Sequence, residues 1–221
     1  MSGLTDMYNE GLIVLKSLIF VTVAATAGAV LAILSVRLHV PTGWIGGLAL
    51  ILWAVRSRKK WARAQTQTGL EPSGPEQVLR LRGVGTALLL GHLLATLAHP
   101  QLDLHVGQGN SLATDSWTMI AALLIAGFLF RQDEIIRDER DDSITARGTK
   151  AGYISLIGML ILLLSLLGFL PAQILDELNY FTLANILVAI ILLSITVKYT
   201  IQLIGYAQDT EAALSMRLEN D

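Results

Sequence analysis

The amino-acid sequence predicts an all-α polytopic membrane protein, six transmembrane helices arranged as three hairpins with both termini on the cytoplasmic side. Three observations predict it. Hydrophobic residues make up 53% of the 221 positions and charged residues 15%, with mean hydropathy +0.57. The apolar residues come in blocks of membrane length rather than in the short amphipathic periods of a soluble core. Once the blocks are threaded as spans, fifteen of the sixteen Lys and Arg residues fall on one side and only Arg37 on the other. Cytoplasmic loops carry that excess of cations, which sets the orientation as N-in, C-in.

The whole chain, 1–221, reads as a single transmembrane domain with spans at 11–36, 41–56, 80–99, 113–130, 151–170 and 179–205. The first follows a segment with Asp6 and Glu10 and no cation and is much longer than a signal-peptide core, so a retained helix is expected. Lys16 lies near its inner end, where the long stem can snorkel to the headgroups. Spans two and four are short, because sixteen to eighteen residues at about 1.5 Å each barely cross a hydrocarbon core of about 30 Å. Gly43, Gly46 and Gly47 open the second span, which suits either close helix packing or a transporter's binding segment. Ala24, Gly28 and Ala32 in the first span, and Ala87, Gly91 and Ala95 in the third, form small-residue ladders expected inside the bundle. The leucine-rich fifth span, from Leu156 to Leu170, is expected to face lipid.

Two cytoplasmic linkers join the hairpins. The first, 57–79, ends in a Gly- and Pro-rich stretch that opposes helix and suggests a flexible loop. The second, 131–150, has no Pro and places Asp133 four residues before Arg137, so the fourth helix is expected to continue into it. Trp44, Trp117 and Tyr180 mark outer ends and Trp61, Tyr153 and Tyr206 inner ends, as interfacial anchors.

Several function classes drop out. With no cysteine there is no disulfide framework, thiolate metal site or cysteine nucleophile. There is no Walker lysine loop, His-Glu-x-x-His pair or Gly-x-Ser-x-Gly elbow, and Gly83 and Gly85 open a membrane helix without a third glycine, so neither an enzyme nor a cofactor is expected. A net charge of −2 provides no field for nucleic acid. His39, His99, Asp103 and His105 map to the outer face, but no pair has the tight spacing of a zinc motif, and no metal site is expected.

Two groups of residues could carry function. His92 lies ten residues beyond Arg82, about 15 Å along the third helix and so near mid-membrane, where an ionisable group is a functional hypothesis by default. Gly85, His92, Thr96 and His99 share a helical face that could relay protons. The plainer expectation is a neutral imidazole bonded to a hydroxyl or carbonyl of a neighbouring helix, with Thr22 and Ser194 at roughly matching depth. The second group is the charged run from Arg131 to Tyr153. Its acids and bases can pair with one another on a solvated helix or dock a partner by charge. A third use would hold a divalent cation on Asp138, Asp141 and Asp142, although Arg137 and Arg140 compete for the same oxygens.

Through Asp138, Glu139, Arg140, Asp141, Ile144, Arg147 and Tyr153 the chain resembles an uncharacterised family of small prokaryotic integral membrane proteins. That family is marked by an Asp-Glu-Arg-Asp run, a hydrophobic and a basic residue, and then a spanning helix. The resemblance covers residues 135–205 and implies membrane location and helix count near the C-terminus, with no activity, substrate or cofactor.

The expected function is a non-enzymatic protein of the cytoplasmic (inner) membrane, a scaffold, sensor or regulator. It would present Asp138, Glu139, Arg140, Asp141 and Arg147 to a cytoplasmic protein partner. The alternative is a small-solute or proton-linked transporter or channel that uses His92, Thr96 and His99. Besides the lipid bilayer, the small-residue faces would serve a homo-oligomer as readily as packing within one chain.

Overall fold

A computed structural model describes residues 2–68, 72–98, 111–129, 138–171, 175, 178 and 180–220. Among these residues the chain forms six helices and no strand: α1 (Ser2–Leu38), α2 (Gly43–Thr68), α3 (Gly74–Leu97), α4 (Ser111–Leu129), α5 (Glu139–Phe169) and α6 (Tyr180–Asn220). His99, Asp103, His105 and the segment 130–137, into which α4 was expected to continue, lie outside the described residues.

Among the described residues, four helical stretches are long and apolar enough to cross a membrane: Gly11–Leu38, Gly74–Leu97, Glu139–Phe169 and Tyr180–Thr210. The other two of the six expected spans are shorter. In α4 the apolar stretch is Thr114–Phe128, and in α2 the apolar first half gives way at Arg56 to a basic second half.

Both linkers are shorter than the sequence suggested, because local capping extends the helices into them. At α3, the Ser73 side chain accepts from Glu76 N–H at 3.3 Å and Pro75 occupies the first turn, where its missing N–H costs nothing. Helix α5 begins at Glu139 because Asp138 and Asp141 form a reciprocal capping box. Asp138 accepts from Asp141 N–H at 2.8 Å, and Asp141 accepts from Asp138 N–H at 3.4 Å. The Asp-Glu-Arg-Asp run is therefore first of all a helix start. Asp138→Ala should cost about 1 kcal/mol of stability, the usual value of a lost cap, measurable as a lower melting temperature in detergent.

Helix α3 is the hub. Within its apolar window 61% of residues are buried, against 28%, 6% and 17% for α1, α5 and α6, so α3 meets protein where the others leave apolar surface outside. Its small residues explain the closeness of α1: a Cβ at Gly28 would strike the backbone of Leu88 and His92, and one at Gly91 the backbone of Ala25. The expected small-residue ladders thus form the α1–α3 seam. Helices α5 and α6 pair through Gly148 and Gly152, which lie against Lys198, Gln202 and the Ser194 backbone, while Ile161, Leu162, Leu164 and Phe169 remain exposed. Such an apolar exterior suits lipid as solvent.

Leu79 of α3, Ile144 of α5 and Leu203 and Tyr206 of α6 make one core cluster, and Leu50, Ala54 and Trp61 of α2, Leu81 of α3 and Ala126 of α4 another. These contacts gather Arg56 to Arg63, Arg80, Arg82 and Arg140 at one end of the bundle, the basic end. Trp61 and Tyr206, expected as interfacial anchors, are core residues instead, 8% and 4% exposed, because neighbouring helices cover them. Trp44, Trp117, Tyr153 and Tyr180 are exposed.

Candidate functional site

At the end of the bundle opposite the basic residues, two ionisable side chains are sealed together. His92 stands on α3 five residues before its last, and Asp115 on the second turn of α4; their side chains are 1% and 0% exposed, with His92 Nε2 and Asp115 Oδ2 3.9 Å apart. Burying a carboxylate without partners is prohibitively costly, so its surroundings decide what it can do.

One oxygen of Asp115 is firmly held. Oδ1 accepts from Gly43 N–H at 2.6 Å, the first residue of α2, where free N–H groups and the helix dipole both favour negative charge. Gly43 has to be glycine, since a Cβ there would run into the Asp115 backbone. Gly46 and Gly47 let α2 approach Met119 and Ala122 of α4 in the same way, so the glycine-rich start of α2 serves helix packing. The other oxygen is loosely held. Thr42 Oγ1 lies 3.5 Å from Oδ2, but that hydroxyl donates its hydrogen to Leu31 O at 2.8 Å. Oδ2 therefore faces His92 Nε2 with lone pairs to spare.

The histidine is matched to it. Nδ1 lies 3.4 Å from Ser116 Oγ, whereas Nε2 is buried without a hydrogen-bond partner. A shift of about 1 Å would bring Nε2 and Oδ2 within hydrogen-bonding distance. If the Ser116 hydroxyl donates to Nδ1, Nε2 turns an N–H toward Asp115 Oδ2; in the other tautomer it turns a lone pair toward it.

Sequence reasoning singled out His92 but not its partner. The expected partners are elsewhere: Thr22 is exposed on α1, and Ser194 donates to Gly152 O at 2.8 Å, within the α5–α6 pair. Of the expected relay face, His99 lies outside the described residues. Thr96 is buried, yet its hydroxyl donates to His92 O at 2.8 Å, and Gly85 sits against Leu123. A carboxylate just inside the fourth apolar span was the available signal for Asp115.

Among the described charges of the run at the basic end, Asp141 alone is buried, and several of the exposed ones pair with neighbours. Tyr206 Oη donates to Asp141 Oδ1 at 2.6 Å, Arg140 Nε donates to Asp209 Oδ2 at 2.6 Å, and the Arg140 guanidinium lies 5.7 Å over the Tyr206 ring. Arg147 reaches Ser143 Oγ at 3.2 Å. Glu139 and Asp142 are exposed. Asp138 Oδ1 and both Asp141 oxygens are engaged by the cap and by Tyr206, and among the described residues no group of three His, Cys, Asp or Glu is arranged to hold a metal. The buried Glu76, which the sequence reading passed over, accepts from Arg80 Nη2 at 2.7 Å and Nε at 3.0 Å. Tyr206→Phe should cost about 1–3 kcal/mol, because the buried Asp141 oxygen loses its donor, whereas Arg140→Ala, which breaks a half-exposed pair, should cost about 0–1 kcal/mol. Denaturation of the two variants in the same detergent checks that order.

Compared with known proteins, the chain matches no family model, no curated sequence and no solved structure.

Proposed function

We propose that this chain is an integral membrane protein with six crossings, N-in and C-in, that works by taking up and releasing a proton at the His92–Asp115 pair, as a proton-linked transporter. The observation that carries this reading is the buried Nε2 without a partner, 3.9 Å from the under-bonded Oδ2. Intramembrane ionisable groups are costly and mark ion or proton pathways. The pair also sits where α1, α2, α3 and α4 meet, since Thr42 ties α2 to Leu31 of α1 and Gly43 ties it to Asp115. Moving the proton changes the charge on Asp115, and so the hold on the start of α2.

The test is proton entry into proteoliposomes driven by a potassium diffusion potential and read with an internal pH dye. The parent should acidify the lumen and His92→Ala should not; equal rates in both would remove His92 from the pathway. The topology has its own check. The chain has no cysteine, so single cysteines at the exposed Thr66 and Ser143 report cleanly. Both should react with an impermeant thiol reagent from the cytoplasmic face only, and labelling from opposite faces would contradict the threading.

A second reading keeps the scaffold role, favoured by the exposed charges Glu139, Asp142 and Arg147 on the first turns of α5. The resemblance to the uncharacterised membrane family rests on the same segment and adds no activity to it. Co-purification after gentle detergent extraction tests the role: charge reversal at these three positions should release a bound cytoplasmic protein, and an unchanged set of co-purifying proteins counts against it.

A further inference from the structure

We propose that the basic second half of α2 binds the headgroup of an anionic phospholipid whose acyl chains lie along the first half of the same helix. Arg56, Lys59, Lys60 and Arg63 follow one another at i, i+3, i+4 and i+7, so they share one helical face. All four are exposed, and together with Ala64 they line a groove of about 490 Å³. Among the described residues none of the four has a carboxylate partner, in contrast to Arg80 with Glu76 and Arg140 with Asp209. Four unneutralised cations on one stripe are matched by phosphate.

What selects a lipid over a free anion is the continuation of that face. Stepping back from Arg56 by the same helical spacing reaches Leu52, Leu48 and Ile45, which are 53%, 51% and 43% exposed. At about 100° per residue, all seven side chains fall within about 60° of one line along the helix. The stripe is thus apolar for its first three turns and cationic for the next two, the polarity pattern of a phospholipid. Its level agrees, because Trp61 shares a core cluster with Leu81, which stands between the cations Arg80 and Arg82 at the edge of the apolar bundle. Cations in that position are worth about fivefold in affinity each toward an anionic leaflet.

The experiment titrates the full-length protein, in zwitterionic detergent, with short-chain phosphatidylglycerol, with phosphatidylcholine of the same chains, and with inorganic phosphate, by calorimetry. Three proteins are compared: the parent, the quadruple variant R56Q/K59Q/K60Q/R63Q, and R82Q/R147Q, which removes two exposed cations elsewhere at the basic end. All substituted side chains are exposed, and unchanged melting without lipid verifies the fold. Phosphatidylglycerol should bind the parent and the double variant alike, and the quadruple variant at least about tenfold more weakly. Phosphatidylcholine and inorganic phosphate should bind the parent at least tenfold more weakly than phosphatidylglycerol. Equal binding to parent and quadruple variant would overturn the proposal, as would equal weakening in the double variant. Phosphate as tight as phosphatidylglycerol would make the stripe a free-anion site, and phosphatidylcholine as tight would make it a purely apolar one.

Discussion

Asp115→Asn should fold and melt close to the parent yet lose proton entry into liposomes by about 100-fold or more, the scale set by losing a positioned proton-transfer group. The amide oxygen can still accept from Gly43 N–H, which Asp115 Oδ1 now does at 2.6 Å, so the join between α2 and α4 survives. What the amide cannot do is gain and lose a proton opposite His92 Nε2. Asp115→Ala should fail on both counts. It leaves the Gly43 N–H buried without an acceptor, at a cost of about 1–3 kcal/mol, and it removes the proton acceptor as well. A purely structural Asp115 predicts the opposite for the asparagine variant, namely unchanged flux. Measuring melting and flux on both variants separates the cap from the chemistry.

The largest loss of stability should come from Gly91→Leu. Even a Cβ at this position would meet the Ala25 backbone, and backbone cannot swing aside as a flexible side chain can. The α1–α3 seam must then open, with a destabilisation above the roughly 1–3 kcal/mol of ordinary overpacking. Gly28→Leu should behave alike from the other side of the seam. Gly158→Leu is the control, because nothing lies within 4 Å of its added Cβ on the exposed face of α5, and it should melt like the parent. If all three substitutions were equally tolerated, α1 and α3 would not be in backbone contact.

The parts of the fold legible in the sequence were those that lipid dictates. Long apolar runs announce α1, α5 and α6 because their outer faces have no other solvent to satisfy. The Gly28 and Gly91 ladders announce a close seam because only small residues permit one. The start of α5 was not legible, since the Asp138 cap stands inside a dense charge run where every acid looks equally available. Trp61 and Tyr206 misled because depth along a helix places an aromatic near the headgroups without saying which neighbour covers it. The candidate site was half legible for the same reason. His92 stands out as an ionisable group in an apolar run, but its depth matched Thr22 and Ser194 as well as anything on α4. Asp115 looked like the edge of a span, and the group that makes its burial tolerable, the Gly43 N–H, is 72 residues away in sequence.

Infrared difference spectroscopy across a pH step on the reconstituted protein tests the buried proton site most directly, because carboxyl and imidazole bands report protonation at the atoms in question. The account predicts a carboxyl–imidazole signal in the parent that disappears in Asp115→Asn and changes in His92→Gln, as two groups sharing one proton require. A spectrum that is the same in the parent and in Asp115→Asn would contradict it.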